Sequence, residues 1–300
     1  MSSLKIAIVG AGGVGGYLAA KLSQNNYDVT LICKDKHYEA IKQNGLKVLE
    51  YKDEDFVVYP RVEKTVDDDI FDVVFLAVKS YDLQSACKTI EYCIDENTIV
   101  IPLSNGVEHQ TTIGSYLNNG IICEGAIYII SHLERYGVIN RESYTFYLLF
   151  GSKQENINLK ILEQIFNSCD LKTTNSHNIQ YDCWKKYLFI CAMGSLTSYF
   201  KEPMGYIVKE QLELFIDILI EIKRVADEKG INISNNDIQN AVKQATHVPY
   251  DSKTSMQLDF EKGSQTEVES LTGYIVKEAE KLNVEVPQMK KIYDKLLSDI

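Results

Sequence analysis

The sequence predicts an α/β fold: a doubly wound parallel sheet in the first part of the chain, followed by an all-helical C-terminal domain. Three observations carry this. Short, mostly apolar, β-rich runs at 4–9, 28–32, 71–78 and 98–103 are separated by helical or amphipathic segments, as expected of strands buried on both faces. A glycine cluster, Gly10-Ala11-Gly12-Gly13-Val14-Gly15, follows the first run at once. From about Asn178 onward, nearly every stretch repeats its apolar residues at helical spacing.

Each element has its own signal. After the glycines, Val14, Tyr17, Leu18 and Leu22 recur on one helical face, and Asn25-Asn26 ends that helix. Residues 28–32 form the second strand, and 71–78 and 98–103 form two more. Amphipathic segments near 81–92 and 108–116 supply helices. From 121 to 150 the residues turn β-branched and aromatic, with Gly137 as a turn, which predicts later strands that are partly antiparallel. Residues 158–166 read as a helix and 171–174 as a last short strand. Helices are then expected over 181–199, 206–229, 238–244 and 266–282. The change of character near Ser176 predicts a domain at 1–176 and a helical domain at 177–300.

Composition narrows the function. The 300 residues are 45% hydrophobic and 24% charged, ordinary for a globular chain that buries most of its surface on folding. A formal net charge of -11 argues against nucleic acid and against an anionic membrane surface as partners. Seven cysteines without a C-x-x-C read as thiols of a reducing compartment, and five scattered histidines show no metal-ligand spacing. No apolar run approaches the length of a membrane span or a signal core. These features predict a cytoplasmic protein acting on a small molecule.

The glycines point to a nucleotide. A strand, a tight glycine turn and a helix N-terminus make an anion site. Gly10 allows the turn, Gly12 lets the backbone approach a pyrophosphate, and Gly15 lets helix and strand pack closely, as in a Rossmann-type dinucleotide fold. At the end of the second strand, an NAD site usually carries an acidic residue for the ribose 2′-hydroxyl. Here Lys34 stands at that place with Lys36 beside it. Two ammonium groups favour the 2′-phosphate of NADP, while Asp35 keeps NAD open.

Four further motifs are specific in combination: Val78-Lys79 at a strand end, Asn105-Gly106 after another strand, Trp184-Lys185-Lys186 on a helix, and Ser255-Met256-Gln257-Leu258-Asp259 followed by Thr266-Glu267. With the glycine turn, and over the full length of the chain, they resemble the ketopantoate reductase family (2-dehydropantoate 2-reductases). The resemblance implies that hydride passes from NADPH to the keto carbon of a 2-keto acid and that Lys186 protonates the carbonyl oxygen. It implies that Glu267 contacts the substrate hydroxyl and orients the lysine, that Ser255 binds the substrate carboxylate, and that Asn105 bridges substrate and nicotinamide ribose. Lys79 is implied to lie close to that ribose. Asp259, one helical turn after Ser255, is placed to face the same pocket. The helical domain is implied to bind substrate and to form a homodimer. Read without the resemblance, Lys186 is one of two neighbouring lysines on an amphipathic helix, Glu267 and Glu269 are surface charges, and Ser255 is a helix cap.

The sequence departs from the family at two places. Ile190 and Gly194 stand where the family often carries pocket asparagines. Substrate binding therefore differs in detail, with Ser195 and Thr197 as the nearby hydroxyls. Three readings stay open: reduction of 2-dehydropantoate on the route to pantothenate, reduction of another 2-keto or 3-hydroxy acid on the same fold, and a non-catalytic NADP-binding regulator. The many apolar residues of 206–229 fit either a dimer face or a helix buried at the domain centre.

Overall fold

A computed structural model describes residues 4–154 and 157–300. The chain divides into two compact units. One comprises Met1–Ser104 and Glu108–Ile179, the other Asn105–Val107 and Gln180–Ile300.

The first unit opens with β1 (Lys5–Val9), α1 (Gly13–Gln24), β2 (Asp28–Ile32) and α2 (Asp35–Asn44). Three short strands follow, β3 (Leu46–Leu49), β4 (Phe56–Val58) and β5 (Arg61–Glu63), then β6 (Val73–Leu76), a 3-10 turn at Ser80–Asp82 and α3 (Leu83–Ile90). After β7 (Ile99–Pro102), α4 (His109–Gly114) and β8 (Ile121–Ile122) comes a long hairpin, β9 (Glu124–Arg135) and β10 (Val138–Gly151). The unit ends with α5 (Lys160–Ser168) and β11 (Thr173–Asn175).

Six strands form one sheet in the order β5-β2-β1-β6-β7-β8, every adjacent pair parallel. This is the doubly wound, Rossmann-type order. Its direction reverses between β1 and β6, so the C-terminal end of β1 opens at the switch point where such sheets take ligands. Burial on both faces explains the unbroken apolar runs: Ile6, Ala7 and Ile8 of β1 and all four residues of β6 are fully buried. A second sheet, β11-β10-β3-β4 with β9 on β10, is mixed. The β9–β10 pair is antiparallel around Gly137, whose φ of 80° suits glycine at the turn.

The second unit is helical: α6 (Ile179–Phe200), α7 (Met204–Glu210), α8 (Leu212–Glu228), α9 (Asn235–His247), α10 (Ser255–Glu261), α11 (Thr272–Leu282) and α12 (Pro287–Ser298). The single helix expected over 206–229 is two helices, because Gln211 leaves helical geometry at φ -131° and ψ 24°. Ile207, Phe215, Ile218, Leu219 and Ile222 of this stretch are fully buried in the unit's own core. Its apolar richness is therefore core packing rather than a dimer face. The helix expected from 266 starts at Thr272, and Glu267 lies in the preceding turn. Among the described residues, no helix is long and apolar enough to cross a membrane. All seven cysteines are free and buried.

One buried acid stands out in the first unit. Glu124, the first residue of β9, is 2% exposed and its Oε1 accepts from the Gln110 amide at 3.1 Å. Burial pushes its carboxyl up to about 7, against the Gln110 bond and the charge of Lys153. The folded state thus holds a proton that the unfolded chain releases near the ordinary carboxylate value. The stability tied to that proton is present at low pH and lost as pH rises through about 7. Glu124→Gln keeps the acceptor for Gln110 and removes the titration. Urea unfolding at pH 5 and pH 8 should show the variant gaining about 1–3 kcal/mol on the wild type across that interval; a pH-independent difference would contradict the assignment.

Candidate functional site

In the first unit the candidate site is built of backbone. Gly10 ends β1 at φ 99°, and its amide donates to the Ile32 carbonyl at 2.9 Å. A Cβ on Gly10 would sit 2.6 Å from the Ala77 oxygen, and one on Gly15 only 2.0 Å from the Gly10 oxygen. Gly13 is pressed against the hairpin, where a Cβ would come within 2.3 Å of the Ser131 oxygen. Gly12 differs: a Cβ there would meet nothing within 4 Å. It is the N-cap of α1 at φ -70°, and no side chain caps that helix end. The turn Gly10-Ala11-Gly12-Gly13-Val14-Gly15 thus leaves open space beside Gly12 and uncapped amide donors at a helix N-terminus. That combination fits the pyrophosphate of a dinucleotide.

A cavity of about 250 Å³ lies along this turn, lined by Gly10, Ala11 and Gly12 and by Lys34, His37 and Lys64 among others. Lys34 is exposed and immediately precedes α2. Lys36 sits exposed on the first turn of α2 and is not part of the lining. The second ammonium at the cavity is Lys64, not Lys36. It follows β5, which pairs in parallel with β2, so the two lysines sit at neighbouring strand ends. Lys64 Nζ donates to Glu39 at 2.9 Å and lies 4.6 Å from the centre of the Tyr38 ring. Sequence spacing missed Lys64 and His37 because the pairing of β5 with β2 is a tertiary fact; a lysine after a short strand had no local mark. Lys79, half-buried after β6, leads into the 3-10 turn, its carbonyl accepting from the Asp82 amide at 2.9 Å.

The helical unit carries a polar cluster of its own. Lys186 stands on α6, and its Nζ donates to Asn105 Oδ1 at 3.0 Å. Asn105 belongs to this unit although the chain reaches it after β7. Burial brings the Lys186 ammonium down to about 8, against the opposing pull of Cys183 and of the Glu267 charge. Glu267, which the bare sequence would place at the surface, is 3% exposed. Its carbonyl accepts from the Leu271 amide at 3.0 Å, tying it to the turn before α11. Glu269 is the surface charge of the pair and accepts from Tyr293 at 2.8 Å. The two neighbouring lysines are also distinct. Lys185 is exposed and reaches Asp237 at 3.7 Å, while Lys186 turns inward to Asn105.

Lys186, Asn105 and Glu267 are therefore brought together. Ser255 and Asp259 lie on α10. Thr254, not Ser255, caps that helix, its hydroxyl accepting from the Gln257 amide at 3.2 Å, and Ser255 is the exposed first residue. Asp259 is half-buried one turn on. Helix α10 packs on α6 at Gly194, where an added Cβ would lie 3.6 Å from Met256 Cε, an ordinary contact. Ser195 and Thr197, the hydroxyls near the missing asparagines, are engaged within the helical unit. Both are fully buried, Ser195 Oγ bonded to Thr272 Oγ1 at 2.7 Å and Thr197 Oγ1 to Thr254 Oγ1 at 2.8 Å.

Two family models match the chain. One, described as ketopantoate reductase PanE/ApbA, covers residues 6–154, and one described as its C terminal covers residues 178–298. The uncharacterized oxidoreductase YkpB of Bacillus subtilis (strain 168) is 29% identical over 297 residues, 98% of each chain. The 2-dehydropantoate 2-reductase of Pyrococcus abyssi is 29% identical over 296 residues, 95% of this chain and 94% of its own. A crystal structure of a PanE/ApbA family ketopantoate reductase from Ralstonia eutropha matches with a TM-score of 0.90 at 25% identity, covering 99% of this chain and 98% of that one.

The glycines separate fold from ligand. Gly12→Ala should unfold at the wild-type temperature and lose dinucleotide binding. Gly15→Ala should lose about 2–3 kcal/mol of stability, because its Cβ has no room. Thermal unfolding with and without nucleotide checks both; a Gly12→Ala protein that binds as well as the wild type would remove that glycine from the cradle.

Proposed function

The chain belongs to the ketopantoate reductase family, and from that premise we propose that it is an NADPH-dependent reductase of a 2-keto acid, with 2-dehydropantoate reduced to pantoate, on the route to pantothenate, as its first assignment. The observation that carries the reading is Lys186: an ammonium brought down to about 8, bonded to Asn105 and acted on by the charge of Glu267. When bound, the reduced nicotinamide supplies the hydride that adds to the keto carbon. As that carbon gains a pair of electrons, the C=O π pair moves to oxygen. Lys186 stabilises the resulting alkoxide and gives it one proton, leaving a neutral amine and a hydroxyl. A lysine near 8 loses its proton more readily than one at the ordinary 10.4, yet is still mostly charged at neutral pH.

In this reading the residues divide the work. Asn105 accepts one N–H of the ammonium, which fixes the direction of the remaining two, and it bridges substrate and nicotinamide ribose. Glu267 contacts the substrate hydroxyl and keeps the lysine charged. Ser255 binds the substrate carboxylate, with Asp259 beside it on α10. The 10–15 turn holds the pyrophosphate, Lys79 stands by the ribose, and Lys34 with Lys64 meets the 2′-phosphate. NAD is the competing cofactor, because Lys64 is already paired with Glu39. Residues 1–176 form the dinucleotide-binding domain and 177–300 the substrate domain, through which the protein pairs as a homodimer in the cytoplasm.

A second reading keeps the reaction and changes the acid. Ile190 offers no hydrogen bond, and Gly194 leaves space toward Met256. That wall favours a keto acid with an apolar side chain over the hydroxylated one. A panel of 2-keto acids ranked by kcat/KM separates the two readings, and Gly194→Asn should move the ranking toward 2-dehydropantoate.

Turnover is read as loss of nicotinamide absorbance. With NADPH and 2-dehydropantoate the wild type should turn over, and kcat should fall as pH rises through about 8, where Lys186 loses its proton. Lys186→Ala should lower kcat by about 10²–10⁴ while NADPH affinity changes little. No turnover with any 2-keto acid would sink the assignment, and an undiminished Lys186→Ala would remove the proton donor.

A further inference from the structure

His37 was not among the residues the sequence marked, yet it lines the cavity along the glycine turn and is 8% exposed. Both of its ring nitrogens are engaged. Nε2 lies 2.7 Å from the Ala11 carbonyl oxygen, and Nδ1 lies 2.9 Å from the Gly137 amide nitrogen. An amide N–H only donates, so Nδ1 is the acceptor. The ring proton therefore sits on Nε2 and is donated to Ala11. Burial lowers the pKa of the ring, in keeping with this neutral tautomer.

The two ends of this bridge differ in kind. Gly137 is well anchored: it is the turn of the β9–β10 hairpin, and its carbonyl accepts from the Lys47 amide at 2.9 Å. Ala11 lies between Gly10 and Gly12, in the turn that faces the cavity. The Ala11–Gly12 peptide is planar and trans, so its C=O and N–H point in opposite directions. Drawing the Ala11 oxygen toward His37 turns the Gly12 N–H away from His37. That amide belongs to the one glycine of the turn that has open space beside it. On the other side, the hairpin backbone at Ser131 closes on Gly13.

We propose that His37 is a positioning residue of the dinucleotide site: by holding the Ala11 carbonyl it sets the plane of the Ala11–Gly12 peptide and aims the Gly12 amide at the diphosphate. This rests on the dinucleotide-dependent reading given above. The residue touches backbone, not the reacting atoms, so its effect falls on cofactor affinity and not on the chemical step.

Two conservative variants split the bridge. His37→Gln can still donate an N–H at the distance of Nε2 but loses the acceptor for Gly137. His37→Asn keeps an oxygen near the position of Nδ1 but no longer reaches Ala11. Calorimetric titration of the full-length protein with NADPH, and with ADP-ribose, which carries the diphosphate without nicotinamide, reads the cradle directly. His37→Asn should bind both ligands about tenfold more weakly, the loss of one aimed hydrogen bond. His37→Gln should recover most of that affinity, and kcat at saturating NADPH should be near wild type in both. Equal weakening in the two variants, following their unfolding temperatures, would make His37 a packing residue and overturn the proposal. Unchanged affinity in His37→Asn would overturn it as well. A wild type that binds neither ligand overturns the dinucleotide reading and this proposal with it, a result distinct from either of the others.

Discussion

An ammonium group kept partly out of water is costly unless something compensates it, and Lys186 is the place where this chain accepts that cost. Its neighbours on α6 explain the environment. Ile190 and Gly194 follow Lys186 at helical spacing on the same side, and neither has a polar side chain. The neutral oxygen of Asn105 at 3.0 Å, the pull of Cys183 and the charge of Glu267 offset the burial. Burial opposed by Cys183 and Glu267 leaves it near 8, where a proton is both present and transferable.

The first unit solves a different problem with backbone. The diphosphate of the proposed dinucleotide needs donors without bulk, and the turn after β1 presents backbone amides with few side chains. The glycines are not equivalent. Gly10, Gly13 and Gly15 are required by contacts with Ala77, Ser131 and Gly10 itself, so they make the fold. Gly12 has room for a methyl group, so no contact within the chain requires it. His37 adds the second layer, carrying the order of the hairpin turn into the orientation of that cradle.

Much of this was legible in the sequence, for physical reasons that differ by element. The buried parallel strands β1, β2, β6 and β7 announce themselves because burial on both faces demands unbroken apolar runs. The glycine turn is legible because sterics leave few alternatives. The stretch from α2 to β5 was not legible: its strands are three or four residues long, half exposed and interrupted by charges, so local pattern says little. Lys64 was invisible for the same reason. Lys36 looked equivalent to Lys34 until α2 placed it on an exposed turn outside the cavity. In the helical unit, periodicity found the helices and misjudged their ends, at Gln211 and at Thr272, where backbone geometry rather than composition decides. The burial of Glu267 is a tertiary fact, since a glutamate in Thr266-Glu267-Val268-Glu269 reads locally as solvated.

The proposed chemistry turns on the ionisation of one amine. Lysine-selective isotope labelling of the full chain, with Lys186→Arg to assign the resonance, gives its titration midpoint by NMR. A buried proton donor at Lys186 should give a midpoint about 8. A midpoint at the ordinary lysine value of about 10.4 would mean that the ammonium is solvated, and the proton-donor assignment would be contradicted.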